Sequence, residues 1–186
     1  FWSSMSAEVK QFGVLAAGYL GFDFLIGQTK NIIQMQTKMA DEYSNIEKTT
    51  SLTTEQIKSL DKELRKLDTR TSNSRLRDLA AEAGKLGKDG VNDISRFVEE
   101  ADKIDVALGE DLGEEGLLKI AKLSGILKEG MINIASGINA VGSASAASES
   151  YQVDFAFRMS GTAQTARIAA GDLLGYAAAL EVNGQT

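Results

Sequence analysis

The stretch KLDTRTSNSRLRDLAAEAGKLGKDGVNDISRFVEEADKIDVALGEDLG, residues 66–113, decides the fold. It contains two amphipathic helical patterns joined by a turn that is marked by Gly87 and Gly90. In each pattern apolar residues recur at spacings of three and four, which places them on one face of a helix. We expect Gly87 to end the first helix in the left-handed conformation and Gly109 to end the second. The two apolar faces are Leu76, Leu79, Ala80, Ala83 and Leu86, then Ile94, Phe97, Val98, Ala101, Ile104 and Leu108.

Before this stretch, the sequence predicts a polar helix from Thr29 and a second helix from Thr53. Thr53 followed three residues later by Gln56 is a capping box, which marks a helix start. A polar loop is expected at residues 68–74. The first of these two helices has a coiled-coil-like apolar seam, formed by Ile32, Met35, Met39 and Ile46.

After this stretch, four more helices are predicted. They cover residues 117–128, residues 131–145, a segment capped by Ser148 and ended by Gly161 with a short Ala-rich turn of helix after it, and a last helix that Asp172 opens. The sequence therefore predicts an all-α protein without a sheet, a multi-helix array or bundle of short amphipathic helices with a longer N-terminal helix. Its expected parts are an apolar, then coiled-coil-like lead-in at residues 1–48 and a helical module at residues 49–186.

The composition removes most enzyme chemistry. Among 186 residues there is no proline, cysteine or histidine. Without histidine and cysteine the chain lacks the commonest general base, the thiolate nucleophile and the usual transition-metal ligands. We predict that the chain is not an enzyme and has no catalytic, cofactor-binding or metal site.

Charge is sorted along the chain. Residues 58–88 hold nine basic and five acidic side chains, a net charge of +4, whereas residues 89–115 hold two basic and ten acidic ones, a net of −8. Carboxylates interleave the basic residues and aromatic stacking partners are few, so specific nucleic-acid binding is not expected. The two blocks are expected to lie near each other across the Gly87–Gly90 turn or between neighbouring protomers.

Three small clusters suggest chemistry, but each has a simpler structural interpretation. The segment Gly84–Lys88 lacks the full spacing of a phosphate loop and is interpreted as a helix cap. A group of four acids fits no EF-hand loop, and two of them, Glu114 and Glu115, are interpreted as acids at a helix N-terminus. Asp154 and Asp172 lie in separate helices, so the pattern does not bring them together as a hydrolytic pair. The four acids are Glu110, Asp111, Glu114 and Glu115.

Residues 12–27 and 131–145 leave two interpretations open. The first segment is the most apolar run, but it carries Asp23 and is shorter than the roughly 20 residues of a membrane span. The second has small residues, among them Gly137 and Gly142, that permit close helix packing. Burial within a helical bundle is favoured for both, and insertion into a membrane is the alternative.

Several blocks, in order, resemble the core region of phage tail tape measure proteins, especially those of phages and prophages of Bacteroides-type bacteria. They read EKTTSLTTEQIKSLDKELRKLDTRTSNSRLRDLAAEAGKLG, FVEEADKIDVALGEDLG, INAVGSASAASESYQVDFAFRMSG, TAQTARIAAGDLLG and DLLGYAAALEVNGQ. The similarity covers roughly residues 43–186, and earlier residues match only in character. The residues that match the family pattern are Asp68, Arg70, Asp105, Gly109, Asn139, Gly142, Phe155, Arg158, Gly161 and Gly175.

The resemblance implies a structural protein without catalytic residues, of which this chain is an internal piece. Such a protein lies in the tail lumen as several parallel copies, sets tail length, templates tube assembly and leaves at genome ejection. Its implied partners are the tail tube protein, tail assembly chaperones, tail tip or baseplate proteins and further copies of itself. The implied location is the virion after assembly in the bacterial cytoplasm, with contact to the host membrane at ejection. The ten matching residues are expected to serve as caps, turns and packing contacts.

Overall fold

A computed structural model describes residues 21–112 and 115–184 of this protein, with side-chain surroundings from residue 34 onward. The described residues form helices without any strand, so the predicted all-α class is confirmed. Within the described ranges, the longest helix is the first one, of 29 residues, which confirms the predicted longer helix in the N-terminal part. The helices are α1 (Gly21–Thr49), α2 (Thr54–Leu64), α3 (Asn73–Lys85), α4 (Val91–Leu112), α5 (Gly116–Leu127), α6 (Met131–Ala144), α7 (Glu149–Ala166) and α8 (Ala170–Val182).

The chain divides into two compact units, Phe1–Glu42 and Tyr43–Thr186. The described part of the first unit is helical, and in it the side chain of Met35, a predicted seam residue, is 73% exposed. The last residues of α1 belong to the second unit, where Ile46 is buried in the core. The predicted seam residues therefore differ in exposure. Most of the apolar segment 12–27 lies outside the described residues.

Helix α4 is the element around which the second unit packs. It contacts α2, α3, α5, α6 and α7. Its 22 residues give a length of about 33 Å, enough to offer a separate section to each neighbour. Helix α7 packs against α5, and α8 packs against α6 and α7. The predicted apolar stripe of α4 is its buried face, with Ile94, Val98 and Ala101 fully covered.

The hairpin of α3 and α4 is closed by two glycines. Gly87 has a φ of +76° and Gly90 a φ of +79°, in the left-handed region that suits glycine. The N–H of Lys88 donates to the carbonyl of Ala83 over 3.0 Å, which satisfies one of the last carbonyls of α3. The predicted helix stop at Gly87 is confirmed.

Two other predicted stops are wrong, because Gly109 and Gly161 both lie inside helices. Helix α4 continues to Leu112 and α7 continues to Ala166. Leu112 and Ala163 are buried beyond the two glycines, so continuing each helix keeps apolar surface away from water. That gain outweighs the cost of about 1 kcal/mol for glycine in a helix. The actual stop of α7 is Arg167, which has a φ of 57°.

The cap residues confirm two other predictions. Gln56 N–H donates to Thr53 Oγ1, and the Thr53 N–H donates to Gln56 Oε1 over 2.8 Å, which completes the capping box. Ser148 Oγ accepts from the Tyr151 N–H at the start of α7. Helix α8 ends at Val182 with Asn183 as its C-cap, and Gly184 after it has a φ of +69°.

Two helices begin at residues other than those predicted. Helix α3 begins at Asn73, because Ser72 Oγ accepts from the Arg75 N–H and acts as N-cap. The loop predicted at 68–74 therefore ends two residues earlier, and it also begins earlier, since α2 ends at Leu64. Helix α8 begins at Ala170 rather than Asp172. Asp172 lies in its first turn, where a carboxylate is favourable to the helix dipole.

Candidate functional site

The segment Gly84–Lys88, weighed as a phosphate loop, is a helix packing site. A Cβ atom added to Gly84 would lie 2.6 Å from Thr50 Cγ2 and 2.7 Å from the carbonyl carbon of Thr49. The end of α1 therefore rests directly on α3 where no side chain intervenes. Gly84 is needed for this approach, and Gly87 is needed for the turn that follows.

The acidic cluster is spread over two helix ends. Glu110 and Asp111 are exposed on the last turn of α4, and Glu115 is the N-cap residue of α5, where it pairs with Lys119 over 3.2 Å. Glu114 is outside the described residues. Across the described ranges, no three acidic side chains converge in a way that could hold a metal ion.

Asp154 and Asp172 are not brought together as an acid–base pair. Lys119 donates a hydrogen bond of 2.8 Å to Asp154, and this bond raises the pKa of the lysine against the opposing effect of desolvation. Asp172 is exposed on α8, and within the described residues no interaction joins the two carboxylates.

Four of the ten residues that match the tape measure pattern make packing or polar contacts. Asp105 accepts two hydrogen bonds from Arg75, and a Cβ on Gly109 would lie 3.4 Å from Asp105 Oδ1. The ring of Phe155 stacks on Tyr151, with centroids 6.3 Å apart. Gly142 lies directly beneath the side chain of Glu149. The other six are exposed: Asp68, Arg70, Asn139, Arg158, Gly161 and Gly175.

A polar cluster of Asp61, Arg77, Arg65 and Tyr43, in which the side chains of Asp61 and Arg77 are buried, was not predicted from the sequence. Asp61 accepts hydrogen bonds of 2.7 Å from the Nε atoms of both Arg77 and Arg65. The guanidinium of Arg77 also lies over the Tyr43 ring, 5.7 Å from its centroid. This cluster fastens the last turns of α1 to α2 and α3. A signal existed in the sequence, since Asp61 falls beside the apolar stripe of its helix.

Two opposing influences set the pKa values of this cluster. Burial alone would raise the pKa of Asp61, but hydrogen bonds from Arg65, Arg77 and Tyr43 outweigh it and hold the pKa below its ordinary value of 3.8. Burial and the hydrogen bond to Asp61 raise the pKa of Tyr43. Asp61 is therefore ionised and Tyr43 neutral near neutral pH.

The basic and acidic blocks meet within one chain, which is one of the two arrangements predicted from the sequence. Arg75 on α3 donates to both carboxylate oxygens of Asp105 on α4, over 3.2 and 2.9 Å. Arg75 also contacts Glu82 over 3.5 Å, and Thr69 donates to the buried Asp102. A bidentate arginine–carboxylate pair has a fixed geometry, so it sets the alignment of the two helices.

A surface groove lies beside the hairpin, between α4 and α5. It has a volume of about 430 Å³, and we call it the α4–α5 groove. Lys88 and Lys122 stand at its edge, and Lys122 Nζ lies 5.8 Å from the centre of the Phe157 ring. An adjoining hollow of about 310 Å³ shares part of the lining. The apolar lining residues are Leu86, Phe97, Ala121, Ile126, Met131 and Phe157.

The fold and these contacts define a class, an all-α module of packed helices with ion-paired side chains and an apolar surface groove. No protein-family model, no curated protein and no solved structure matches this chain.

Proposed function

We propose that this chain is the core region of a phage tail tape measure protein. In this role it sets tail length, templates the tail tube from inside the lumen and is released at genome ejection. The observation that carries the proposal is a coincidence of boundaries. The resemblance extends over roughly residues 43–186, and Tyr43–Thr186 is also a compact unit of the structure.

Helical geometry supports a role in length. Each helical residue adds about 1.5 Å, so the 29 residues of α1 span roughly 43 Å. Met35, at a predicted seam position of that helix, is exposed and available to a partner helix. The compact second unit then serves as a packed module on a chain whose extended helices supply length.

The proposed partners are the tail tube protein, the tail assembly chaperones, tail tip or baseplate proteins and other copies of this chain. The proposed location is the tail lumen of the virion, after assembly in the host cytoplasm. Specific nucleic-acid binding is not proposed, because several basic side chains are paired with carboxylates. These are Arg65, Lys66, Arg75, Arg77, Arg96, Lys103 and Lys119.

The test is a change in tail length in the phage that encodes this chain. A helical insert of about 70 residues, placed in the exposed part of α1 near Met35, should lengthen each tail by about 105 Å. An antiparallel helical hairpin with the same number of residues is the matched control. Because the hairpin folds back on itself, it should add little length.

Electron microscopy of purified virions measures the result. Tails of unchanged length with the straight insert would contradict the proposal. The absence of this chain from tails halted before ejection, judged by mass spectrometry, would contradict it as well.

The membrane alternative remains a prediction. None of the described helices is both long enough and apolar enough to cross a membrane. Residues 12–20 are outside the described part, so the segment 12–27 has to be tested directly. Dye leakage from phosphatidylethanolamine–phosphatidylglycerol vesicles on adding the full chain would support channel formation, and an absence of vesicle binding would count against it.

A further inference from the structure

We infer that the α4–α5 groove binds the outer face of α8 from a second copy of this chain, with Tyr176 in the apolar groove and Asp172 beside Lys88 and Lys122. This inference rests on the proposed function, in which several copies associate within one tail.

The groove offers space at a defined point. Its volume of about 430 Å³ falls within the range of roughly 300–1,000 Å³ that is usual for binding pockets. Gly125 on α5 lines it, and a Cβ atom added there would meet nothing within 4 Å. Leu86, Ile126 and Phe157 are only half-buried, so an inserted ring would cover further apolar surface.

The outer face of α8 carries an exposed aromatic ring. Tyr176 is 59% exposed, although its neighbours Leu174 and Ala177 on the other face are buried. A tyrosine brings a large apolar area and a polar hydroxyl, which makes it one of the residues most enriched at the energetic centres of interfaces. Gly175 and Ala179, also exposed on α8, add little bulk around the ring and permit a close approach.

Charge complementarity favours the outer face of α8. Asp172 precedes Tyr176 by one helical turn, so carboxylate and ring leave α8 on the same side. Within the described residues neither Lys88 nor Lys122 forms an ion pair, and Lys122 lies at the edge of the apolar lining.

Two of the other exposed apolar side chains fit less well. Met159 adjoins Arg158, which would repel the two lysines, and Ile132 lies on α6, a helix without any charged residue.

Filling the groove tests the proposal. Gly125→Met places a side chain in open space within the groove, and Gly161→Met on α7 is the matched control, since a Cβ there also meets nothing within 4 Å. In sedimentation equilibrium of the full chain, from low to high micromolar concentration, wild type should associate. Gly125→Met and Tyr176→Ser should each weaken association by about tenfold or more, and Gly161→Met should not.

Exchanging the two charges tests the inferred contact in a second, independent way. Lys122→Glu and Asp172→Lys should each weaken association severalfold, and the double variant should recover most of it. Lys62→Glu, on the exposed face of α2, is the control. Closed dimers, in which each copy fills the groove of the other, support the inference. Open head-to-tail oligomers that grow with protein concentration support it as well.

A wild-type chain that stays monomeric overturns it, as does association that Gly125→Met leaves unchanged. The latter result would mean that the copies associate through another surface. A monomeric chain that still lengthens tails with the helical insert refutes this inference alone, whereas association without any effect on tail length refutes the proposed function alone.

Discussion

Arg77 donates a hydrogen bond of 2.7 Å from Nε to Oδ1 of Asp61, and both side chains are more than nine-tenths buried. The pair joins α3 to α2 in the part of the core that holds the end of α1. A buried charge that loses its partner is left without compensation for its lost hydration. Stability of the second unit should therefore depend strongly on this contact.

Replacing Asp61 by Asn should lower the free energy of unfolding by about 3–5 kcal/mol, because it removes the buried carboxylate that accepts hydrogen bonds from both Arg77 and Arg65. Urea denaturation followed by circular dichroism measures this loss. Glu63→Gln is the control, since the Glu63–Lys66 pair is exposed and should contribute no more than about 1 kcal/mol. Equal losses in the two variants would contradict the assignment of Asp61.

The same carboxylate should make the fold sensitive to acid. The pKa of Asp61 is below its ordinary value of 3.8 in the folded chain, so its contribution is fully present above that value. The contribution is lost as the pH falls through the folded pKa. The stability difference between wild type and Asp61→Asn should therefore shrink below about pH 4, as urea titrations at several pH values would reveal. A constant difference down to the lowest pH would argue against ionised Asp61.

The contribution of Glu82 to stability should change with pH in the opposite direction. Burial raises its pKa above the ordinary value of 4.5, and the cations Arg75 and Lys85 only partly offset this effect. A raised pKa favours the fold below the unfolded value, and this advantage is lost as the pH rises through the folded value. Glu82→Gln should accordingly be more stable than wild type at pH 7 and equal to it near pH 3. Thermal melts at both values measure the difference, and a variant less stable at pH 7 would contradict the prediction.

Gly84→Ala should destabilise the chain by about 1–3 kcal/mol, because the new methyl group would collide with Thr49 and Thr50. Gly161→Ala is the matched control. It lies within α7 with open space around its Cβ position, so alanine should stabilise that helix by up to about 1 kcal/mol. Denaturant midpoints of the two variants should move in opposite directions, and a shift of the same sign in both would count against the packing of α1 on α3.

Gln152 should be replaceable with a gain in stability. Its side chain is fully buried, and its Oε1 atom has no hydrogen-bond partner within the described residues. Gln152→Met removes this unsatisfied atom at similar volume, a group that costs roughly 1–3 kcal/mol, and loses only the long 3.5 Å hydrogen bond from Nε2 to the Ala147 carbonyl, so it should add about 1 kcal/mol. Exposed Gln164→Met, on the same helix, should change little. Calorimetric melting temperatures provide the comparison, and a clear loss in Gln152→Met would show that the amide is needed.

Local rules predicted much of this fold from the sequence. Helical periodicity found the buried face of α4, and short-range hydrogen bonding found the caps at Thr53 and Ser148. The same rules failed at Gly109 and Gly161, because whether a glycine ends a helix depends on what lies beyond it. In both cases the helix continues past the glycine because this buries Leu112 or Ala163.

Contacts between distant residues were harder to predict. Charge sorting indicated that the basic and acidic blocks meet, but not that Arg75 selects Asp105 or that Arg77 turns inward to Asp61. Those choices depend on how α2, α3 and α4 cross, and periodicity in one helix does not contain that information. The α4–α5 groove was missed for the same reason.

The close approach of α1 to Gly84 also has a mechanical consequence. A pulling force transmitted along α1 enters the second unit at its last turns, between Tyr43 and Thr50. There the Tyr43 ring lies under Arg77, and Thr49 and Thr50 lie against Gly84. Arg77 and Gly84 are about two helical turns apart on α3, so a load along α1 is shared by two separate contacts. Both contacts have to break before the end of α1 separates from α3.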